Sequence, residues 1–137
     1  LLAERPELLS RAVEEIMRVQ GAVRVAPRVV AEELEVDGYH LSVGTILALS
    51  TRAANHDPAA YDDPATFDIT IDREPQLTFG GGPHYCLGAN LARAEMQEAL
   101  ALLAAHVPGL ILDGEPAWRT PFGIFGPDRL PLRFGQP

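Results

Sequence analysis

The chain has 137 residues, about the length of one domain, and its 47% apolar and 22% charged residues exclude disorder driven by low hydrophobicity. The formal net charge is −8, every cation except histidine is arginine, and no basic cluster interrupts the acid excess, which excludes a nucleic-acid footprint. The single cysteine excludes an internal disulfide and a multi-cysteine zinc site, and the sequence carries neither an apolar run long enough to span a membrane nor a secretory signal.

The first residue is Leu1, not methionine, and a helix pattern begins almost at once, so the chain is expected to be a piece of something longer. Arg5-Pro6-Glu7 opens that helix, with proline and an acid in the first turn. Leu8, Leu9, Ala12, Val13, Ile16 and Met17 recur at helical spacing until about Val19, and Gly21 ends the helix. The stretch from Val23 to Val30 is mixed and broken by proline. Leu34 and Val36 alternate with acids, and Asp37-Gly38 predicts a hairpin turn before Tyr39 and Leu41. Val43 to Leu49 is apolar with β-branched residues and predicts a buried strand.

From Asn55 to Pro75 the chain is polar and irregular, with Asp57-Pro58, Asp62-Asp63-Pro64 and Asp68 as turn signals. A meander of this length predicts a functional segment. Leu77-Thr78-Phe79 leads into Gly80-Gly81-Gly82-Pro83. The longest helix follows, Leu87 to His106, with Ala92, Met96, Ala99, Leu100 and Leu103 on one face and Pro108-Gly109 at its end. Short strands are expected from Leu110 to Phe134, around Trp118, Phe122 and Leu130-Pro131-Leu132. The 12 glycines and 12 prolines are spread out, which argues for many turns rather than a simple bundle.

Cys86 stands between the glycine-rich loop and that long helix. Free amides and the dipole at a helix start favour a thiolate, and a thiolate serves as nucleophile, redox sensor or soft metal ligand. A buried, inert cysteine is the commoner fate of a lone cysteine, but Gly80, Gly81, Gly82 and Gly88 leave the backbone bare around this one. A P-loop needs a lysine that the chain lacks, and Arg93 is too far along for a phosphatase-type loop.

The pattern Phe79-x-x-Gly82-x-His84-x-Cys86-x-Gly88 resembles the haem-binding signature of the cytochrome P-450 family, the haem-thiolate monooxygenases. The resemblance implies an α+β fold, mainly α with small β-sheets: an E-x-x-R helix, a β-hairpin sheet, the meander, the cysteine loop, a long final helix and terminal β-strands. It covers the C-terminal third or so of the family's fold, so residues 1–137 are expected to form a single partial domain. It implies haem b (iron protoporphyrin IX) as cofactor and Cys86 as axial ligand of its iron. Phe79 would pack beside the thiolate, Gly82 and Gly88 would admit the porphyrin, and amides after Cys86 would hydrogen-bond its sulfur.

Glu15 and Arg18 match the family's E-x-x-R pair, which pins the meander under the cysteine loop. By spacing alone they also read as an exposed helix ion pair, with Glu14–Arg18 as a rival. The arginine that completes the family's network falls on Thr66 here, and Arg73 is the nearest substitute. The resemblance assigns the haem propionates to Arg28 and His84. His40 and His56 read as surface residues, and His106 as a helix-end cation. Arg93 reads either as a contact for an electron donor or as part of an ion pair within its own helix.

The implied activity is insertion of one oxygen atom into a small organic substrate, with electrons from a ferredoxin or flavoprotein. The implied setting is the cytoplasm. The family's long central helix and most of its substrate pocket are absent from the sequence, so the isolated chain is expected to show little or no monooxygenase activity. Two other readings stand beside this one: a cysteine-nucleophile hydrolase or phosphatase-like enzyme, and an inactive remnant of the fold.

Overall fold

A computed structural model describes residues 1–107, 109–118 and 124–135. The chain enters through a 3-10 turn, Pro6–Leu8, and continues into α1, Leu9–Gln20. The buried stripe of α1 is not purely apolar. Ala12 and Val13 share it with Glu15 and Arg18, so its ionic pair is part of the core.

Gly21 ends α1 in an extended conformation, with φ −51° and ψ 135°, rather than as a left-handed cap. Its requirement is steric. A Cβ here would lie 2.4 Å from Thr78 Oγ1 and 2.6 Å from the Met17 carbonyl oxygen.

Strand β1, Val25–Val29, runs antiparallel to β4, Ile46–Ser50, with Pro27 opposite Ala48. Proline is compatible with this strand because, among the described residues, β1 pairs on one side only. Between them, β2 (Leu34–Val36) and β3 (Tyr39–Leu41) form the expected hairpin. Asp37 and Gly38 take φ values of 48° and 78°, the pair of positive angles that a tight hairpin turn demands.

The strand expected over Val43–Leu49 starts later, at Ile46, and is not buried. Ile46 is 76% and Leu49 48% exposed. Its β-branched composition suits a strand, but among the described residues no layer covers it. A short helix, α2 (Thr51–Ala54), follows directly, capped by the Ser50 hydroxyl accepting from the Ala53 amide. The meander then runs without helix or strand to the cysteine loop.

The final helix, α3, spans Ala89–His106, two residues shorter at its start than the sequence suggested. Leu87-Gly88 forms the turn ahead of it, and Gly88 occupies the cap position. Ala92, Met96 and Leu100 are half-buried, whereas Ala99 and Leu103 are exposed. Ala89 is the one fully buried residue of α3, at the end that meets α1.

Beyond α3, β5 (Ile111–Leu112) pairs with β8 (Leu132–Arg133), and β6 (Ala117–Trp118) with β7 (Pro127–Arg129). Leu130 and Pro131 link β7 to β8 rather than form a strand. Phe122 and Pro108, named in the sequence reading, lie outside the described residues. A bridge between Val23 and Ile124, and the Phe125 amide donating to the Ala22 carbonyl at 2.7 Å, return this segment to the exit of α1.

Candidate functional site

The support of the cysteine loop starts in α1. Arg18 donates from Nε and Nη2 to both carboxylate oxygens of Glu15, at 2.7 and 2.8 Å. Its remaining donors go to carbonyls: Nη1 to Asn55 and Pro64 at 2.9 and 2.8 Å, and Nη2 to Thr66 at 3.0 Å. Those contacts can occupy all five N–H groups of a guanidinium. The helix residue therefore staples two stretches of meander that have no secondary structure of their own. Glu14 takes no part in this, so the rival pairing with Arg18 is not formed; Glu14 faces Arg93 instead.

Arg73 joins the same network from the other side. Its Nε lies 3.5 Å from Glu15 Oε1, and its Nη1 donates to the Asp62 carbonyl at 2.6 Å. Thr66, at the position where the family carries an arginine, contributes its carbonyl oxygen to both Arg18 and Arg73. Glu15 also accepts from the Asp68 amide at 3.0 Å. Burial pushes the Glu15 carboxyl up, but the hydrogen bonds from Arg18 and Asp68 and the charges of Arg18 and Arg73 outweigh it, and the group sits below the ordinary glutamate value. Tyr61 closes the cluster, its ring centroid 5.2 Å from the Arg18 guanidinium carbon.

Asn55 and Thr78 carry this order into the loop. Asn55 accepts from the Leu77 amide at 2.7 Å and donates to Thr78 Oγ1 at 3.0 Å, and Thr78 Oγ1 donates to the Met17 carbonyl at 2.7 Å. Both residues are buried. Neither role is evident from the sequence, because an asparagine close before Asp-Pro and a threonine shortly before a glycine run look like turn chemistry. The available signal was their place at the two ends of the meander.

The loop itself is closed at its neck by the Cys86 amide, which donates to the Phe79 carbonyl at 3.0 Å. Gly82 takes φ +65°, a conformation that a side chain would strain, and a Cβ there would meet nothing within 4 Å. Cys86 is exposed where this bare backbone returns to the neck. It precedes the cap of α3 rather than lying in its first turn, and among the described residues no amide is hydrogen-bonded to its sulfur. Gly88 lies beside the sulfur, its built Cβ 3.9 Å from Sγ.

Four of the residues singled out in the sequence line one cleft of about 620 Å³: Phe79, His84 and Cys86 from the loop, and Arg28 from β1. Its wall is otherwise mostly apolar, from Met17, Val23 and Ala26 among others. Gly82 and Gly88 stand in the loop but do not line the cleft. Arg28 and His84 are exposed, and among the described residues neither forms an ion pair; Arg28 donates to the neighbouring Pro27 carbonyl at 2.8 Å. A soft sulfur ligand, two nitrogen donors and an apolar wall make a donor set that fits an iron porphyrin with two carboxylates.

Nothing here assembles a nucleophile–base pair. Among the described residues no histidine or carboxylate is hydrogen-bonded to Cys86, and no cluster of three or more metal-ligating side chains exists. His40 is exposed, His56 is half-buried with Nδ1 2.9 Å from the Arg52 carbonyl, and His106 is the last residue of α3. No helix among the described residues is long and apolar enough to cross a membrane.

Comparison with known proteins places this geometry. A sequence model described as Cytochrome P450 matches residues 3–106. Luteothin monooxygenase of Streptomyces thioluteus is 46% identical over 136 residues, and the Biotin biosynthesis cytochrome P450 of Bacillus subtilis (strain 168) is 39% identical over 134. The matches cover 98% and 97% of this chain but 34% of each relative, so the chain spans about a third of their length. The crystal structure of P450BioI in complex with a fatty-acid-ligated acyl carrier protein superposes with a TM-score of 0.93 at 38% identity, over 98% of this chain and 35% of that one. The chain thus belongs to the cytochrome P450 family, whose members bind haem b through a cysteine loop.

Proposed function

We propose that residues 1–137 form a single partial domain that supplies the thiolate side of the haem site of a monooxygenase. The observation that carries this reading is the meeting of Cys86, His84 and Arg28 in one mostly apolar cleft next to bare loop backbone. Cys86 would hold the iron, and Arg28 and His84 would take the two propionates from β1 and from the loop. Phe79 would pack at the sulfur. Bound there, haem supplies the oxygen chemistry, in which one atom of dioxygen enters a small organic substrate and the other leaves as water.

The chain's own residues hold and orient. Glu15, Arg18 and Arg73 keep the meander in place under the loop and touch neither substrate nor cofactor. Asn55 and Thr78 transmit that order to the loop's neck. The electrons would come from a ferredoxin or flavoprotein, and the setting would be the cytoplasm. The residues that relay protons to dioxygen, and most of the substrate pocket, belong to parts of the family's fold that these residues do not include.

Titrating the chain with haemin tests the assignment. The chain is expected to bind one haem, and Arg28→Ala and His84→Ala are each expected to weaken binding about tenfold by removing a propionate partner. Equal affinity in the unaltered chain, both of these variants and Cys86→Ser would overturn it.

A further inference from the structure

Arg93, near the start of α3, is committed inward rather than to solvent or to its own helix. Its Nε and Nη2 donate to the two carboxylate oxygens of Glu14 on α1, the second at 3.1 Å. Its Nη1 donates to the Tyr85 hydroxyl at 2.9 Å, and its guanidinium carbon stands 4.7 Å from the centroid of the Phe79 ring. The Phe79 and Tyr85 rings meet edge to face, 6.5 Å apart.

These two rings belong to the two walls of the cysteine loop. Phe79 accepts the Cys86 amide, and Tyr85 precedes Cys86 in the chain. Glu14 reaches the same loop by a second route. It accepts from Gln76 Nε2 at 3.1 Å, and Gln76 Oε1 accepts the Thr78 amide at 2.6 Å. One guanidinium thus ties α1, α3 and both walls of the loop together. Lysine has neither the fork for Glu14 nor the flat face for Phe79.

We propose that Arg93 is a positioning residue for the cysteine loop: by holding Phe79 and Tyr85 against Glu14, it fixes the direction in which Cys86 projects. The role goes beyond haem ligation, because every contact is internal to the chain and none needs the cofactor. Arg93 and Glu14 keep 26% and 40% of their side-chain surface exposed, so their pair is screened and adds little to global stability. Its effect is local, on the loop.

Amide hydrogen exchange on the full chain, with Arg93→Gln, Arg93→Lys and Tyr85→Phe, tests this. In Arg93→Gln the Cys86 amide is expected to exchange about tenfold faster, while the amides in the middle of α1 keep their rates. The Phe79 ring-proton shifts move at the same time, because the stacked guanidinium is gone. Arg93→Lys restores neither signal fully. Tyr85→Phe, which removes only a hydroxyl at an exposed position, is expected to raise Cys86 exchange by a smaller factor and keeps the test open if Arg93→Gln fails to fold. An unchanged Cys86 rate in Arg93→Gln, or a rise only in step with α1, would overturn the proposal, as would an unchanged rate in Tyr85→Phe should Arg93→Gln not fold.

Discussion

Arg18 and Glu15 form a two-point ion pair inside the protein, with 1% and 5% of their side-chain surface exposed. Removing one partner strands the other charge where water does not reach. Arg18 would keep its carbonyl partners but lose its carboxylate partner among the described residues, while Arg73 stands farther from the same carboxylate. Glu15→Gln is therefore expected to destabilise the chain by about 3 kcal/mol, read from urea unfolding. A loss below about 1 kcal/mol would be that of a surface pair and would contradict the buried geometry.

The pH dependence follows from the same carboxylates. Hydrogen bonding from Arg93 holds the Glu14 carboxyl below its ordinary value of 4.5, and Glu15 is held below it as well. Acids depressed in the folded state contribute stability that is present above the unfolded-state value and lost as pH falls through the folded one. The urea midpoint is expected to vary little from pH 7 to about 5 through these groups and to decline below about 4.5. In the double variant Glu14→Gln/Glu15→Gln that acid-side decline should flatten. An equally steep decline would remove these two residues from the account.

Asn55 is 2% exposed and serves three partners with one amide: the Leu77 amide, Thr78 Oγ1 and the Arg18 carbonyl. Asn55→Ala leaves the Leu77 N–H without its acceptor and empties a buried polar position. The expected cost is about 2 kcal/mol in the urea unfolding free energy. Asn55→Asp keeps the acceptor but loses both donors, so it should fall between Asn55→Ala and the unaltered chain.

Gly21→Ala tests the close approach of the loop's neck to α1. The added methyl would meet Thr78 and the Met17 carbonyl oxygen at once. The expected loss is about 2 kcal/mol, from overpacking. Adding Thr78→Ala should not restore stability, since the Met17 carbonyl is backbone and cannot move aside. Full recovery in the double variant would place the conflict in the Thr78 side chain alone.

The parts of the fold most legible in the sequence were those set by local chemistry. Asp37-Gly38 fixed the hairpin through positive φ, and the spacing of Leu8, Ala12 and Val13 marked α1. The glycine–histidine–cysteine pattern marked the loop. Other features were less visible because they depend on residues distant in the chain. Pro27 looks like a strand breaker until β1 is seen to pair, among the described residues, on one side only. Val43 to Leu49 looks buried by composition, yet among the described residues nothing packs over it, and its exposure depends on what lies far away in the chain. Arg93 finds its carboxylate on α1, a pairing that helical spacing cannot suggest. Arg73 could be named only as the nearest arginine, because its reach to Glu15 depends on how the meander folds back.

The central claim is that the Cys86 thiolate ligates haem iron. The most direct measurement is the absorbance spectrum of the haem-loaded chain, reduced and exposed to carbon monoxide, beside Cys86→Ser treated identically. The account predicts the red-shifted Soret band of a thiolate-ligated ferrous carbonyl in the unaltered chain and its loss in Cys86→Ser. The same spectrum from both proteins would contradict it.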